Sequence, residues 1–321
     1  LDVFHDSRGD SASIKSAPGG RGGELLQVKG EGRFEQSMIE LLAHVVKLDY
    51  LIRIDGHSAI SARQAEEAGI EVISLTLAFE ILTDLQEKGY FNDDLENVIC
   101  GVDFGNLALA KAIQERFGWD LAVIEKLRVS KDGTTESDTI SNLIYGAVEG
   151  KRVVLFDDMI SSGGTLIRTL EKLLEYGAAE VVICATHAVF DPRKYYSNLE
   201  ELIKNDKVKI VATSNTIPLK RPDRNQRPVK KSNPYVVVDT EGKKVRKEVS
   251  FFNAHPFLEK VVSVAALSDG SSDVMREALK DHLIPEATKD KHELYQELTG
   301  EEYQSPEVVG FYLGDQKYER F

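Results

Sequence analysis

Residues 152–177 constrain the fold more than any other stretch. RVVLFDD is an unbroken apolar run ending in two acids, MISSGGT is a string of small and hydroxylated residues, and LIRTLEKLLEYG repeats leucines at helical spacing before Gly177. An apolar run without polar alternation marks a strand buried on both faces. A strand that passes through a tight loop into an amphipathic helix is half of a βαβ unit. A glycine just past the last periodic residue is placed to take the left-handed conformation that ends a helix.

The same rhythm fills the middle of the chain. Apolar runs at 97–105, 120–128, 152–158, 179–190 and 207–215 alternate with helical patterns at 78–88, 107–118 and 165–177. This predicts the α/β class, a parallel sheet flanked by helices on both faces. Upstream, 34–47 has helical spacing, YLIRIDGHS (50–58) is a short apolar run ending in Asp55-Gly56-His57, 61–69 is helical and 70–76 reads as a strand. IRIDGHSAIS (52–61) and VLFDDMISSG (154–163) both run strand, acid, small polar turn, which fits a duplicated α/β unit. Residues 1–24, rich in Gly, Ser and charge, predict a loop or disordered arm. The polar 129–142 segment predicts a mobile loop, and the basic, Pro-punctuated 221–234 segment a surface loop. PYVVVD (234–239) allows a strand, and the chain turns helical after Glu259.

A chain of 321 residues suits two α/β domains better than one. Its net charge of −13 opposes binding to nucleic acid or to an anionic membrane, because the long-range field repels polyphosphate surfaces. It leaves room for a small phosphorylated substrate, which meets only its local pocket. No apolar stretch approaches the ~20 residues of a bilayer span, and no signal-peptide pattern opens the chain. Cys100 and Cys184 each close an apolar run, as buried strand thiols of a reducing compartment do. A cytoplasmic protein is therefore expected. The first residue is Leu1 rather than Met, which suggests a piece of something longer.

The chemistry concentrates at the end of 152–158. Ligands of open α/β sheets bind at the C-terminal edge, where Asp157 and Asp158 would be delivered. In Ser161-Ser162-Gly163-Gly164-Thr165, backbone N–H groups unobstructed at the two glycines can wrap a phosphate at a helix start. Ser161, Ser162 and Thr165 add hydroxyl donors. Carboxylates hold a sugar diol well and phosphate poorly, so diol at one end and phosphate at the other describe a pentose 5-phosphate. An ordinary βα turn with accidental acids is the bland alternative. Other candidates are Asp55 and His57, Asp103 in GVDFGN (101–106), and Lys126 with Arg128 in IEKLR (124–128). Each of these also reads as a capping or solvated residue. His187 reads as a core histidine more readily than as a catalytic base.

VVLFDDMISSGGTL resembles the phosphoribosyl-diphosphate (PRPP) motif of type I phosphoribosyltransferases and of the PRPP synthetases, the ribose-phosphate diphosphokinases. THAVF (186–190), SNTIP (214–218), IRIDGHS and GVDFGN are similar, in order and spacing, to segments of the synthetase family. That resemblance implies two phosphoribosyltransferase-like domains, the N-terminal one incomplete or divergent. The expected bounds are a flexible segment over 1–24, a partial N-terminal domain over 25–75, a C-terminal domain with the PRPP motif over 76–240, and helices and tail over 241–321. The activity implied is diphosphate transfer from Mg·ATP to ribose 5-phosphate, giving PRPP and AMP. Asp157, Asp158, Ser161, Ser162, Gly163, Gly164 and Thr165 would hold ribose 5-phosphate, and Lys126 and Arg128 would be the catalytic pair. Gln27 and His57 would hold ATP, while His57 and Asp103 would meet Mg2+. The resemblance also implies a homo-oligomer. Where the family shows Arg-Gln-Asp, this chain has Leu26-Gln27-Val28, and the family's N-terminal portion has no counterpart. A PRPP-consuming transferase and a catalytically silent, regulatory synthetase-like subunit therefore stand as alternatives.

Overall fold

The computed structural model describes residues 34–57, 59–101, 107–130, 137–190, 195–217, 235–238, 244–247, 249–284, 311–313 and 316–318. Gln27, Asp103, the 1–24 arm, the 221–234 loop and most of the tail lie outside them. In chain order the elements begin with α1 (Phe34–Leu41), β1 (Tyr50–Ile54), α2 (Ala59–Glu67), β2 (Glu71–Leu75), α3 (Ala78–Glu87) and β3 (Asn97–Gly101). Then come α4 (Leu107–Phe117), β4 (Asp120–Ser130), β5 (Ser137–Tyr145), β6 (Arg152–Ile160), α5 (Gly164–Glu175), β7 (Glu180–Ala188), α6 (Tyr195–Lys204) and β8 (Val208–Ser214). The remainder includes β9 (Tyr235–Val238), β10 (Lys244–Lys247), β11 (Val249–Phe252), α7 (His255–Leu267) and α8 (Ser272–Ala278). No helix among the described residues is long and apolar enough to cross a membrane.

The chain forms two units, Leu1–Thr76 with Glu259–Leu283, and Leu77–Leu258 with Ile284–Phe321. In the first, β1 and β2 pair in parallel, Tyr50 opposite Glu71 and Ile54 opposite Leu75. Parallel pairing needs a crossover, which α2 supplies. Ile39, Ala65, Ile70 and Val72 form this unit's core. The later segment ties back onto β2: Arg276 Nη2 donates to Val72 O at 2.7 Å, and Thr76 N–H donates to His282 O at 2.8 Å.

The second unit is a seven-stranded sheet in the order β11-β8-β7-β6-β3-β4-β5. Every neighbouring pair is parallel except β4–β5. Leu166, Leu170 and Leu173 of α5 and Leu199, Leu202 and Ile203 of α6 pack with Val153, Leu155, Val181 and Ile183. Cys100 and Cys184 are fully buried strand thiols, and burial pushes the Cys100 thiol up to about 12. Gly177 sits past α5 with φ +83°, and the Ala178 N–H reaches back to Leu173 O at 3.0 Å, the expected helix stop.

Two features depart from expectation. The 129–142 segment is not one loop: Val129 and Ser130 finish β4, and β5 begins at Ser137 and pairs with it in antiparallel fashion. β5 is an edge strand, so it needs no continuous apolar run, and its polar composition hid it. The sheet is therefore mixed rather than wholly parallel. Helix α6 was also hidden, although Leu199, Leu202 and Ile203 have helical spacing.

A charged network anchors the N-terminal end of β6. The Arg152 side chain is fully buried and bonds to Glu180 and Asp93, with Asn97 Oδ1 at 3.2 Å. Lys209 Nζ joins the same acids, 2.9 Å from Asp93 and 3.0 Å from Glu180. Arg152 and then Lys209 hold the Asp93 carboxyl well below the usual carboxylate range.

Candidate functional site

From β3 the chain crosses through α4 to β4 on one side, whereas from β6 it crosses through α5 to β7 on the other. β3 and β6 are neighbours, with Gly101 opposite Phe156. Their C-terminal ends thus form the switch point of the sheet, where departing connections diverge and leave a crevice. Asp157 and Asp158 follow Phe156 directly. The segment that leaves β3 here, 102–106, carries Asp103 and lies outside the described residues.

Asp157 is half-buried and Asp158 buried. The Asp158 N–H donates to Asp157 Oδ1 at 3.0 Å, and the Met159 N–H donates to Asp158 Oδ1 at 2.9 Å. Strict strand alternation would send consecutive side chains to opposite faces. Leu155 and Ile160 share one core cluster although they are an odd number of residues apart. Burial nonetheless alternates from Asp157 to Ile160, half-buried then buried, and both acids stand near the C-terminal end of the strand.

The loop that follows is braced from behind. Asn198 Nδ2, on α6, donates to Ser162 O at 2.7 Å. Gly163 takes φ +78° as the residue before α5, and a Cβ there would lie 3.3 Å from Asn198 Cβ. Left-handed backbone and a close neighbour both favour glycine. Gly163→Ala is expected to destabilise the protein by roughly 1–2 kcal/mol, read as a lower urea midpoint with an unchanged slope. Ser162 Oγ accepts the Gly164 N–H at 3.5 Å, and Ser161 and Thr165 flank it half-buried. The helix start directs its unpaired N–H groups and positive dipole end at whatever occupies the loop.

Neighbouring strand ends complete the edge. His187 is buried, with Nδ1 2.9 Å from Thr216 Oγ1, and Ser214 Oγ donates to Thr186 O at 2.7 Å. Phe190, buried at φ +47°, donates its N–H to Ile160 O at 2.9 Å. Such a backbone is costly for an aromatic residue and persists only where its surroundings fix it; here it ties the exit of β7 to that of β6.

The other candidates are more dispersed. Lys126 and Arg128 lie on β4, opposite Asn142 and Thr139 of β5, and the register shifts between Leu127 and Arg128. The additional residue, Ile140, is on β5, so β4 keeps its own period at the pair. Asp55 is buried with φ +41° just after β1, and its N–H donates to Leu75 O at 2.9 Å. His57 is exposed. Both belong to the first unit, whereas Asp157 and Asp158 belong to the second. Sequence reasoning missed Asn198, whose importance depends on a contact made 36 residues away. Among the described residues no group of three His, Cys, Asp or Glu gathers as a metal cage. A magnesium ion that travels with a polyphosphate asks only for one or two carboxylates; of the two residues expected to meet it, Asp103 lies outside the described residues and His57 is exposed.

Residues 73–215 match the family model described as the phosphoribosyl transferase domain. A curated ribose-phosphate pyrophosphokinase from Pyrococcus furiosus is 39% identical over 142 residues, 44% of this chain and 47% of its own. One from Campylobacter jejuni is 34% identical over 136 residues, 40% and 41% of the two chains. The chain thus matches less than half the length of these curated relatives. A solved phosphoribosylpyrophosphate synthetase from Mycobacterium smegmatis aligns with 72% of this chain and 64% of its own at 24% identity, with a TM-score of 0.48.

Proposed function

We propose that this chain, which belongs through residues 73–215 to the phosphoribosyl transferase domain family, is a ribose-phosphate diphosphokinase that makes PRPP and AMP from ribose 5-phosphate and Mg·ATP. One observation carries the reading: paired aspartates and a glycine-relaxed, helix-leading loop meet at the sheet's switch point. Asp157 and Asp158 grip the ribose diol, and the Ser161–Thr165 loop receives the 5-phosphate. In the transfer the 1-hydroxyl oxygen bonds to the β-phosphorus, the bridge to the α-phosphate breaks, AMP leaves and the hydroxyl proton is lost. Charge grows on the phosphoryl oxygens, and Lys126 and Arg128 are the cations assigned to meet it. Asp103 and His57 are the residues assigned to a magnesium ion that would arrive with the nucleotide and, when bound, would supply charge neutralisation. Gln27 and His57 are assigned to ATP.

The similarity to curated pyrophosphokinases over the sugar-phosphate domain supports this assignment over a base-accepting transferase. The test is direct. Incubation with ribose 5-phosphate and Mg·ATP should yield equal amounts of PRPP and AMP. Turnover only with PRPP and a free base would replace this reading with a phosphoribosyltransferase. Inertness in both assays, with ribose 5-phosphate still bound, would replace it with a silent, regulatory subunit.

A further inference from the structure

Arg168 stands exposed, one turn inside α5. A helical side chain leans toward the helix N-terminus, and Arg168 runs back to the loop: a Cβ built on Gly164 would lie 3.9 Å from its Nη1. The same point lies 3.8 Å from Ser162 Oγ and 3.8 Å from Asn198 Nδ2. Three donor groups of different origin therefore converge beside Gly164. The first turn of α5 contains no acid, and no ion pair among the described residues includes Arg168. A guanidinium near the positive end of a helix is unfavourable in itself. An anion seated in the loop would reverse that sign.

We propose that Arg168 is a specificity-determining residue that reads the charge of the sugar's 5-phosphate. The inference rests on the ribose-phosphate reading of the site and adds to it a preference for the dianion. A planar guanidinium can bond two phosphate oxygens at once. Asn198, already committed to Ser162 O, holds the loop still while Arg168 closes from the helix side.

Titration calorimetry of the whole chain with ribose 5-phosphate tests this, using wild type, Arg168→Gln and Arg168→Lys above and below the second phosphate ionisation near about pH 6. At the higher pH Arg168→Gln should bind about tenfold more weakly or worse, with Arg168→Lys between the two. At the lower pH the gap should narrow. The ligand-free melting temperature of Arg168→Gln should match or exceed that of wild type, because a cation has left a helix N-terminus. Equal binding by wild type and Arg168→Gln would overturn the role of Arg168 alone. So would a clear fall in melting temperature, which would mark the residue as structural. Failure of wild type to bind the sugar phosphate would overturn the site reading itself.

Discussion

Replacing Lys126 with alanine is expected to lower the turnover of diphosphoryl transfer by about a hundred- to a thousand-fold, with little change in ribose 5-phosphate affinity. In a loose phosphoryl-transfer transition state, charge spreads over equatorial oxygens, and a preorganised cation is worth more there than in the ground state. The loss should therefore fall on kcat and leave calorimetric binding of the sugar phosphate intact. Arg128→Ala should behave alike, and the double variant should lose less than the product of the two, since both would serve one centre. Full turnover in Lys126→Ala would remove the β4 pair from the mechanism even if PRPP synthesis itself were confirmed.

The second large effect concerns stability. Arg152→Ala should lower the unfolding free energy by about 3 kcal/mol, measured by urea denaturation. The substitution leaves Asp93 and Glu180 facing each other with only Lys209 between them and opens a void beneath Phe91, whose ring centre is 5.9 Å from the guanidinium carbon. The network also has a pH signature. The Asp93 pKa is depressed in the folded protein, so its contribution is complete above the unfolded value of about 3.9 and is lost as the pH falls below that. Acid should thus close part of the gap between wild type and Arg152→Ala. A gap that stayed constant from neutral pH to pH 3 would exclude the proposed coupling.

What was legible in the chain follows from the range of the interactions involved. The β6–loop–α5 unit was readable because each of its signals is local: apolar run, acids, glycines, leucine spacing, terminal Gly177. The buried thiols were readable for the same reason, since an apolar run on either side decides their fate. β5 was not, because an edge strand can be built from SDTISN, a composition that loops share. Nor was the Arg152 network: its members are 59 and 28 residues from Arg152, and no spacing rule links them. Asn198 belongs to this second group, a residue whose meaning arises only when α6 docks behind the Ser162 carbonyl.

The strand that carries the paired aspartates enters the sheet through one charged cluster and leaves it at another. Arg152 and Asp157 are five positions apart, roughly 16 Å along an extended chain, beyond the range at which substitutions normally couple. On the proposed reading, endurance and selectivity are thus set at opposite termini of one ribbon. Each can drift, or be engineered, without retuning the other.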